Sequence, residues 1–404
     1  MSVSLPRPAE FRFQRLWATG LLALIAASWR LWFPGSGFLS VGVSLPAPSW
    51  VACLMMAGLI GLLITILAGA DRLFGYMRPR VRWLVIGALL ISLVAMDHHR
   101  LQPWVYQSIL YCVLFATMDH RGQLGLARWL TASIYVYSAA GKLDFQFVHT
   151  VGQDFLNAMP LRLGTWIATL DEVTRVRLAF LMPISEMTIG LLLLVPVTRK
   201  WAGMAAITLH ATLIVLLGPW NLNHSYAVLV WNCLLAIQAH ALFVAGRQTT
   251  DNSKTETQST HSLGWIGVLT VLIALVMPLF ERSGYWDHWT SWSLYSPHTS
   301  RVLVDVHESA SERLPPHVRE CLAESSVDGG WKRLDLAAWS LSSRSVPIYP
   351  QARYQLRLAD RMAREFDLGP AIRVTVQSVS DRWTGKRSEK QAIGAEAIEK
   401  LLDA

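Results

Sequence analysis

Charged side chains are scarce in this chain, and hydrophobic ones are abundant. Charged residues make up 16% of the 404 positions and hydrophobic residues 52%, whereas ordinary soluble domains have about 25% charged residues. Residues 1–281 hold only 19 of the 36 basic and 12 of the 28 acidic residues. A nucleic-acid-binding protein would present its basic residues as a stripe on a polar scaffold, which this segment does not provide. The composition therefore favours a membrane protein and argues against nucleic acid as a partner.

The chain also lacks the short motifs of several common protein classes. Its four cysteines form no CxxC pair, and Cys53, Cys112 and Cys233 lie inside apolar runs, which argues against a disulfide framework or a zinc knot. We predict no metal site from the sequence. No GxGxxG, P-loop, HExxH or GxSxG sequence occurs, so nucleotide binding and the common hydrolase mechanisms have no support.

Long apolar runs, by contrast, recur along residues 1–281. Most are close to the ~20 residues that a helix needs to cross ~30 Å of hydrocarbon. They predict an all-α polytopic membrane domain of about nine transmembrane helices, with the lipid bilayer as its solvent. The runs are 16–33, 49–70, 81–97, 101–118, 126–141, 178–198, 202–218, 225–246 and 263–281.

The basic residues in the loops predict the orientation of this domain. With the N-terminus inside, thirteen Lys or Arg residues fall in cytoplasmic segments and five fall in outer loops, the bias that cytoplasmic loops show. The polar segment 247–262 is interpreted as a cytoplasmic linker before the last span. Nine spans then place the rest of the chain outside the cytoplasm.

Residues 282–404 have the charge content of a soluble fold and predict a small α+β extracytoplasmic domain. RVLVDVHE and AIRVTVQSV alternate as strands do, whereas QARYQLRLADRMAREF and EKQAIGAEAIEKLL have helical periodicity. Trp286, Trp289 and Trp292 follow the last apolar run every three residues, and we interpret them as an interfacial aromatic belt.

Ionisable and amide side chains in or near the spans are the candidate functional residues, because each is costly in hydrocarbon unless it is paired or solvated. All of them fall in the outer half of the predicted domain. Each also has a structural explanation: a lysine can snorkel to the interface, and a lone histidine or glutamate can be a satisfied interior group. The candidates are Lys142, His98, His99, Glu186, His210, Asn223 and His224.

The segment IYVYSAAGKLDFQFVHT, which contains Lys142, resembles the KLD end of an aromatic-rich helix in one family. That family comprises the vitamin K-dependent gamma-carboxylases and the bacterial horizontally transferred transmembrane (HTTM) domain. ISEMTIGLLLLV and ITLHATLIVLLGPWNLNHSYAVL are similar to the family's acidic-residue and histidine-bearing helices. The resemblance covers roughly residues 11–281. Glu186 and Gly190 also resemble the wider DoxX/MauE group of redox-associated membrane proteins.

The resemblance implies a function. In the carboxylases the matching lysine deprotonates vitamin K hydroquinone, so Lys142 is expected to be a general base acting on a quinol-type, lipid-soluble substrate. His98 or His99 would replace the family's partner histidine, while Glu186, His210, Asn223 and His224 would shape the substrate pocket. The alternative is a non-catalytic DoxX/MauE-like accessory protein that binds an extracytoplasmic redox partner through its C-terminal domain.

Overall fold

The computed structural model describes most of the chain. The described residues are 8–33, 35, 37–42, 48–69, 78–245, 263–324 and 329–403. The predicted linker 247–262 and the predicted cytoplasmic residues Arg7, Arg72, Arg247 and Lys254 lie outside these ranges.

Helices dominate the described part of residues 8–281. Six of the described helices have 18 residues or more, and shorter helices lie between them along the chain. Most begin at a proline or at an Asp or Ser cap, as expected for helix N-termini. The helices are α1 (Pro8–Ala27), α2 (Trp29–Trp32), α3 (Ser49–Ala68), α4 (Pro79–Met96), α5 (Pro103–Thr117), α6 (His120–Lys142), α7 (Phe145–His149), α8 (Val151–Asn157), α9 (Leu161–Ala168), α10 (Glu172–Leu194), α11 (Arg199–Leu217), α12 (Tyr226–Ala239) and α13 (Gly264–Val276).

Five of the described helices are long and apolar enough to cross a membrane, so the predicted number of about nine is not supported. Helix α5 has only 15 residues, and α6 carries Arg121, Arg128 and Lys142 among its 23. The apolar stretch Gly264–Phe280 is also short. The five candidate spans are Ser49–Ala68, Pro79–Met96, Glu172–Leu194, Arg199–Leu217 and Tyr226–Val244.

Large apolar side chains cover the outside of these spans. Ile64, Ile91, Leu181, Leu191 and Trp201 are each more than half exposed. An exposed apolar surface of this extent is unfavourable in water and favourable in lipid. The helical part of the protein therefore fits a bilayer, as the composition predicts.

Helices α6 and α10 pack closely because a glycine lies at their contact. A Cβ atom on Gly190 would be 2.9 Å from a Val136 methyl group and 3.1 Å from the Val136 backbone nitrogen. Glu186 precedes Gly190 by one helical turn, so both residues face α6. The Glu-xxx-Gly pattern of the sequence thus places a carboxylate at a close helix–helix contact.

The C-terminal part contains a small antiparallel sheet, which confirms the α+β prediction. The strands follow the order β2-β1-β3-β4. The segment EKQAI, predicted as the start of a helix, is instead the edge strand β4, which pairs with β3 from Arg373 to Gln377. The elements are β1 (Arg301–His307), α14 (Pro316–Arg319), β2 (Trp331–Leu334), α15 (Leu336–Arg344), α16 (Ala352–Glu365), β3 (Ile372–Gln377), β4 (Glu389–Ile393) and α17 (Ala395–Leu402).

The C-terminal part and the helical part share side chains across their contact. Phe38 and Val41, from the segment between α2 and α3, belong to the core of the sheet domain. Trp292 is fully buried in the core of the helical part, and Trp289 is buried against the sheet domain. The tryptophans at 289 and 292 therefore join the two parts, and the predicted aromatic belt is wrong for these two residues.

A buried ion pair lies at the same contact. Asp97, at the end of α4, is 3.0 Å from Arg344 at the end of α15, and both side chains are at least 96% buried. Arg344 also donates hydrogen bonds to the Leu31 and Phe38 carbonyls at 3.1 and 3.3 Å. Arg100 donates to the carbonyls of Leu31, Leu93 and Trp32. We call Asp97, Arg100 and Arg344 the joint.

Candidate functional site

One face of α6 brings together the polar groups of the candidate site. Tyr135, Ser138 and Lys142 are spaced by three and four residues, so they line up on the same side of the helix. All three are buried. Lys142 is the last residue of α6, and Asp144 caps the next helix by accepting a hydrogen bond from the Gln146 backbone N–H.

Lys142 forms an ion pair with Glu186 of α10. The Lys142 Nζ donates a hydrogen bond to Glu186 Oε2, and the side chains are 9% and 13% exposed. Asp144, which the KLD motif places two residues away, pairs instead with Arg282. The two neighbouring acid–base pairs therefore stay separate, and Lys142 has Glu186 as its counter-ion.

His210 of α11 continues the network on the other side of Tyr135. The Asn232 side-chain amide donates to the Val228 carbonyl at 2.9 Å, which turns its Oδ1 towards His210 Nδ1, also at 2.9 Å. His210 Nδ1 must then carry the hydrogen, so His210 Nε2 accepts the hydrogen bond from the Tyr135 hydroxyl at 2.8 Å. This order defines a chain of hydrogen bonds from Asn232 through His210 to Tyr135.

Ser138 lies on this face between Tyr135 and Lys142, and its hydroxyl has no hydrogen-bond partner among the residues that the structure describes. The side chain is 1% exposed. A buried hydroxyl without a partner costs free energy on the order of 1–3 kcal/mol, so such groups usually face a water molecule or a ligand. We call Tyr135, Ser138, Lys142, Glu186, His210 and Asn232 the α6 site.

Glu186 and His210, two of the predicted pocket residues, both have polar neighbours in the α6 site. Tyr135 bonds to His210, and Tyr135 is also within electrostatic range of Glu186. Lys142 in turn acts electrostatically on His210. Neither side chain therefore faces lipid alone, as the cost of such groups in hydrocarbon requires.

Asn223 and His224 have local roles in the turn before α12. Asn223 adopts a left-handed backbone conformation with φ of 48°, which asparagine tolerates better than most residues. His224 Nδ1 accepts a hydrogen bond from the Ser225 backbone N–H at 2.9 Å, and burial lowers the pKa of His224 to about 4. Among their contacts within the described residues, none involves Lys142.

His98 and His99 lie beside the joint and contact the C-terminal part. His99 Nε2 is 3.0 Å from the Pro347 carbonyl oxygen and 3.3 Å from Ser340 Oγ. The His98 ring packs edge-on against Tyr349 at 4.4 Å. Both histidines therefore contact the C-terminal part, and none of their contacts within the described ranges involves Lys142.

Acidification is expected to destabilise the protein through His99. Burial first, and the charge of Arg344 second, lower the pKa of His99 to about 4 from 6.5. A histidine with a lowered folded pKa contributes stability that is complete above pH 6.5 and is lost as the pH falls towards 4. The loss should reach about 3 kcal/mol, measured as the free energy of unfolding in detergent micelles at several pH values.

His99→Gln provides the control for this pH dependence. Glutamine keeps a polar group near Pro347 but does not titrate, so the variant should show a clearly flatter profile between pH 6.5 and 4. An unchanged slope in His99→Gln would assign the effect to other groups and contradict the prediction.

An open cleft lies among the outer helices but does not include the α6 site. It has a volume of about 380 Å³ and is lined by His149, Gln153, Leu170, Glu172, Arg175 and Val176. Its lining is of mixed polarity and partly exposed, and none of its residues belongs to the α6 site.

Sequence reasoning missed Tyr135, Ser138 and Asn232, which are uncharged and therefore draw no attention within an apolar run. Tyr135, Ser138 and Lys142 stand at positions i, i+3 and i+7, which lie on one face of a helix. This spacing is the signal that could have identified the first two residues. Together the α6 site offers an amine, a carboxylate and a tyrosine–histidine pair for proton exchange in a low-dielectric setting.

Comparisons with protein-family models, with curated proteins and with solved structures find no match for this chain.

Proposed function

We propose that this chain is an integral membrane enzyme that binds a quinol or a similar lipid-soluble hydroxyl compound at the α6 site and removes its proton. The unpartnered hydroxyl of Ser138, between Lys142 and Tyr135, is the observation that carries the proposal. It marks a buried position where a ligand oxygen can hydrogen-bond. The resemblance of the KLD segment to the HTTM and gamma-carboxylase family points to the same lysine.

Lys142 acts as the general base in this proposal, and Glu186 holds the proton that the lysine gives up. In this proposal the Nζ proton passes to the carboxylate of Glu186, which leaves a neutral amine and a neutral acid side by side. The amine then takes the proton of the substrate hydroxyl. The products are an ammonium group, a substrate oxyanion beside it and protonated Glu186.

The Ser138 hydroxyl orients the substrate oxygen. The Tyr135 proton points to His210, so the Ser138 hydroxyl, and not Tyr135, is the group that can donate a hydrogen bond to the substrate oxygen as Lys142 takes its proton. Asn232 fixes the His210 tautomer that keeps this direction. His98 and His99 take no part, because their contacts lie at the joint.

The orientation of the protein in the membrane belongs to the same proposal. The C-terminal part contacts the segments around residues 30–42, 97–100 and 144–146. The charge bias assigns these segments to the outer side when α1, α5, α6 and α13 cross the membrane besides the five candidate spans, and we include that count in the proposal. We infer a cytoplasmic N-terminus and an extracytoplasmic C-terminal domain. The outer end of α6, where Lys142 lies, would then face the outer leaflet.

The test is an anaerobic titration of the full-length protein in lipid nanodiscs with a short-tailed naphthohydroquinone and, separately, a short-tailed benzohydroquinone. We expect saturable binding of at least one of them at pH 7, with the absorption spectrum of the hydroquinone anion. Lys142→Arg should abolish the anion signal, because a guanidinium group does not give up its proton.

Lys200→Arg is the matched control, since Lys200 is an exposed lysine at the start of α11. It should behave as the wild type does. Binding of neither hydroquinone, or an anion signal that survives in Lys142→Arg, would overturn the proposal. The second outcome would favour the non-catalytic accessory protein, in which an arginine can replace a lysine that only balances charge.

A further inference from the structure

Three metal-ligating side chains meet at the start of the segment that follows α13. Glu281, His288 and His298 each offer one ligand atom, and these atoms all lie within 4.8 Å of one another. Glu281 Oε1 is 2.6 Å from His288 Nδ1 and 3.1 Å from His298 Nε2. The three side chains are 8%, 2% and 0% exposed. Their sequence spacing matches no zinc motif, so sequence analysis did not find them.

The hydrogen bonding of His298 leaves a nitrogen lone pair facing the carboxylate. His298 Nδ1 is 3.1 Å from the Gly141 carbonyl oxygen, and a carbonyl only accepts hydrogen bonds, so Nδ1 carries the hydrogen. In the neutral ring Nε2 is then a bare lone pair. It faces both Glu281 oxygens, at 3.0 and 3.1 Å. The Nε2 lone pair of His298 and the carboxylate of Glu281 repel each other, and a cation bound between them removes this repulsion.

The contact with Gly141 also resembles the outer support of known metal sites. Histidine ligands commonly donate their second ring N–H to a backbone carbonyl or a carboxylate, which fixes the tautomer and the orientation of the ring. The positive charge of the neighbouring Arg282 is balanced by its ion pair with Asp144. Arg282 therefore has its own counter-ion, and the carboxylate of Glu281 stays available to a cation.

We propose that Glu281, His288 and His298 bind one divalent transition-metal ion, with Zn²⁺ as the ion that fits best. Two imidazole nitrogens and one carboxylate oxygen are a common zinc ligand set with a fourth position left for water. Tetrahedral zinc with bonds of about 2.0–2.1 Å separates its ligand atoms by about 3.3 Å. Small side-chain rotations bring the Glu281–His288 and Glu281–His298 spacings of 2.6 and 3.1 Å, and the histidine–histidine spacing of at most 4.8 Å, to this value.

The site would attach the segment 281–298 to the end of α6. His298 contacts Gly141, and the next residue is Lys142 of the α6 site. A Cβ atom on Gly141 would be 2.6 Å from Ser296 Oγ, so the two segments already lie in close contact. The metal proposal does not depend on the proposed function, because it rests on other side chains.

Equilibrium binding of Zn²⁺ to the full-length, untagged protein tests the proposal. Detergent-solubilised protein is treated with a chelator, and Zn²⁺ is then titrated in competition with a chromophoric chelator. We expect one tight equivalent per chain. His298→Ala and His288→Ala should each weaken that site on the order of 100-fold or more, whereas His307→Ala, at a histidine of β1 outside the cluster, should leave it unchanged.

Glu281→Gln keeps the shape of the side chain and an oxygen that accepts a hydrogen bond, but it removes the negative charge. It therefore tests Glu281 as a metal ligand if the alanine variants fail to fold. It should weaken Zn²⁺ binding as they do. Replacement of Zn²⁺ by Co²⁺ should give the visible absorption of a tetrahedral site in the wild type only. Absence of a tight equivalent in the wild type, or equal binding in Glu281→Gln, would show a hydrogen-bonded cluster without metal and overturn the proposal.

Discussion

Arg344→Ala should destabilise the protein by about 3–5 kcal/mol, the usual cost of removing one partner from a buried ion pair. Arg344 is 4% exposed and Asp97 is 2% exposed, so the variant leaves a carboxylate buried without its closest cation. Burial raises the pKa of Asp97, but Arg344 and Arg100 outweigh this and lower it overall. Arg344→Ala removes the cation with the stronger effect on Asp97, and Arg100 alone compensates incompletely for the buried carboxylate.

Equilibrium unfolding of the purified protein in detergent micelles, followed by tryptophan fluorescence, measures this loss. Arg364→Ala is the matched control, because Arg364 pairs with Asp360 and Glu399 on the surface and is 55% exposed. Its loss should be less than about 1 kcal/mol. Equal losses in the two variants would mean that solvent reaches the joint, and would refute the assignment.

Lys142→Met should cost about 3–5 kcal/mol for the same reason, since it leaves the carboxylate of Glu186 buried without its counter-ion. Glu186→Gln should cost a similar amount by leaving the Lys142 ammonium unpaired. The double variant removes both charges, so it should be more stable than the sum of the single losses predicts. We expect a coupling free energy of about 2–3 kcal/mol in this double-mutant cycle.

The same unfolding measurement in nanodiscs or micelles gives the coupling. Lys142→Met combined with Ser185→Ala is a suitable comparison, because the exposed Ser185 precedes Glu186 on α10 and its hydroxyl donates to the Met182 carbonyl rather than to Lys142. That pair of changes should be additive within about 0.5 kcal/mol. Additive losses for Lys142→Met and Glu186→Gln would show that the two groups do not interact in the folded protein.

The sequence predicted the helical character of the described part of residues 8–281, because long apolar runs are visible in the composition alone. The count of about nine spans is not supported, since a helix such as α6, enclosed by α5, α10 and α13, does not have to be apolar on every face. Hydropathy does not separate a helix that faces lipid from one that faces other helices. The five candidate spans therefore include α3, whose surface is largely apolar and exposed, and do not include α6.

The candidate site was predictable only in its charged members. Lys142, Glu186 and His210 stand out because charge is costly in hydrocarbon. Tyr135 and Asn232 do not stand out, and their role depends on the contact between α6, α11 and α12. The Glu281, His288 and His298 cluster was missed because its spacing reflects a loop that is folded by distant contacts, such as that with Gly141.

The insertion of Phe38 and Val41 into the core of the sheet domain has a consequence for the synthesis of the protein. Phe38 leaves the ribosome about 300 positions before Trp339 of α15, which packs against it, and at 5–20 residues per second the delay is roughly 15–60 s. During that time the segment 37–42 has none of its final neighbours from α15 or α16. A chain that ends after α13 would keep these apolar side chains uncovered, and would be a natural target for quality-control proteases at the membrane surface.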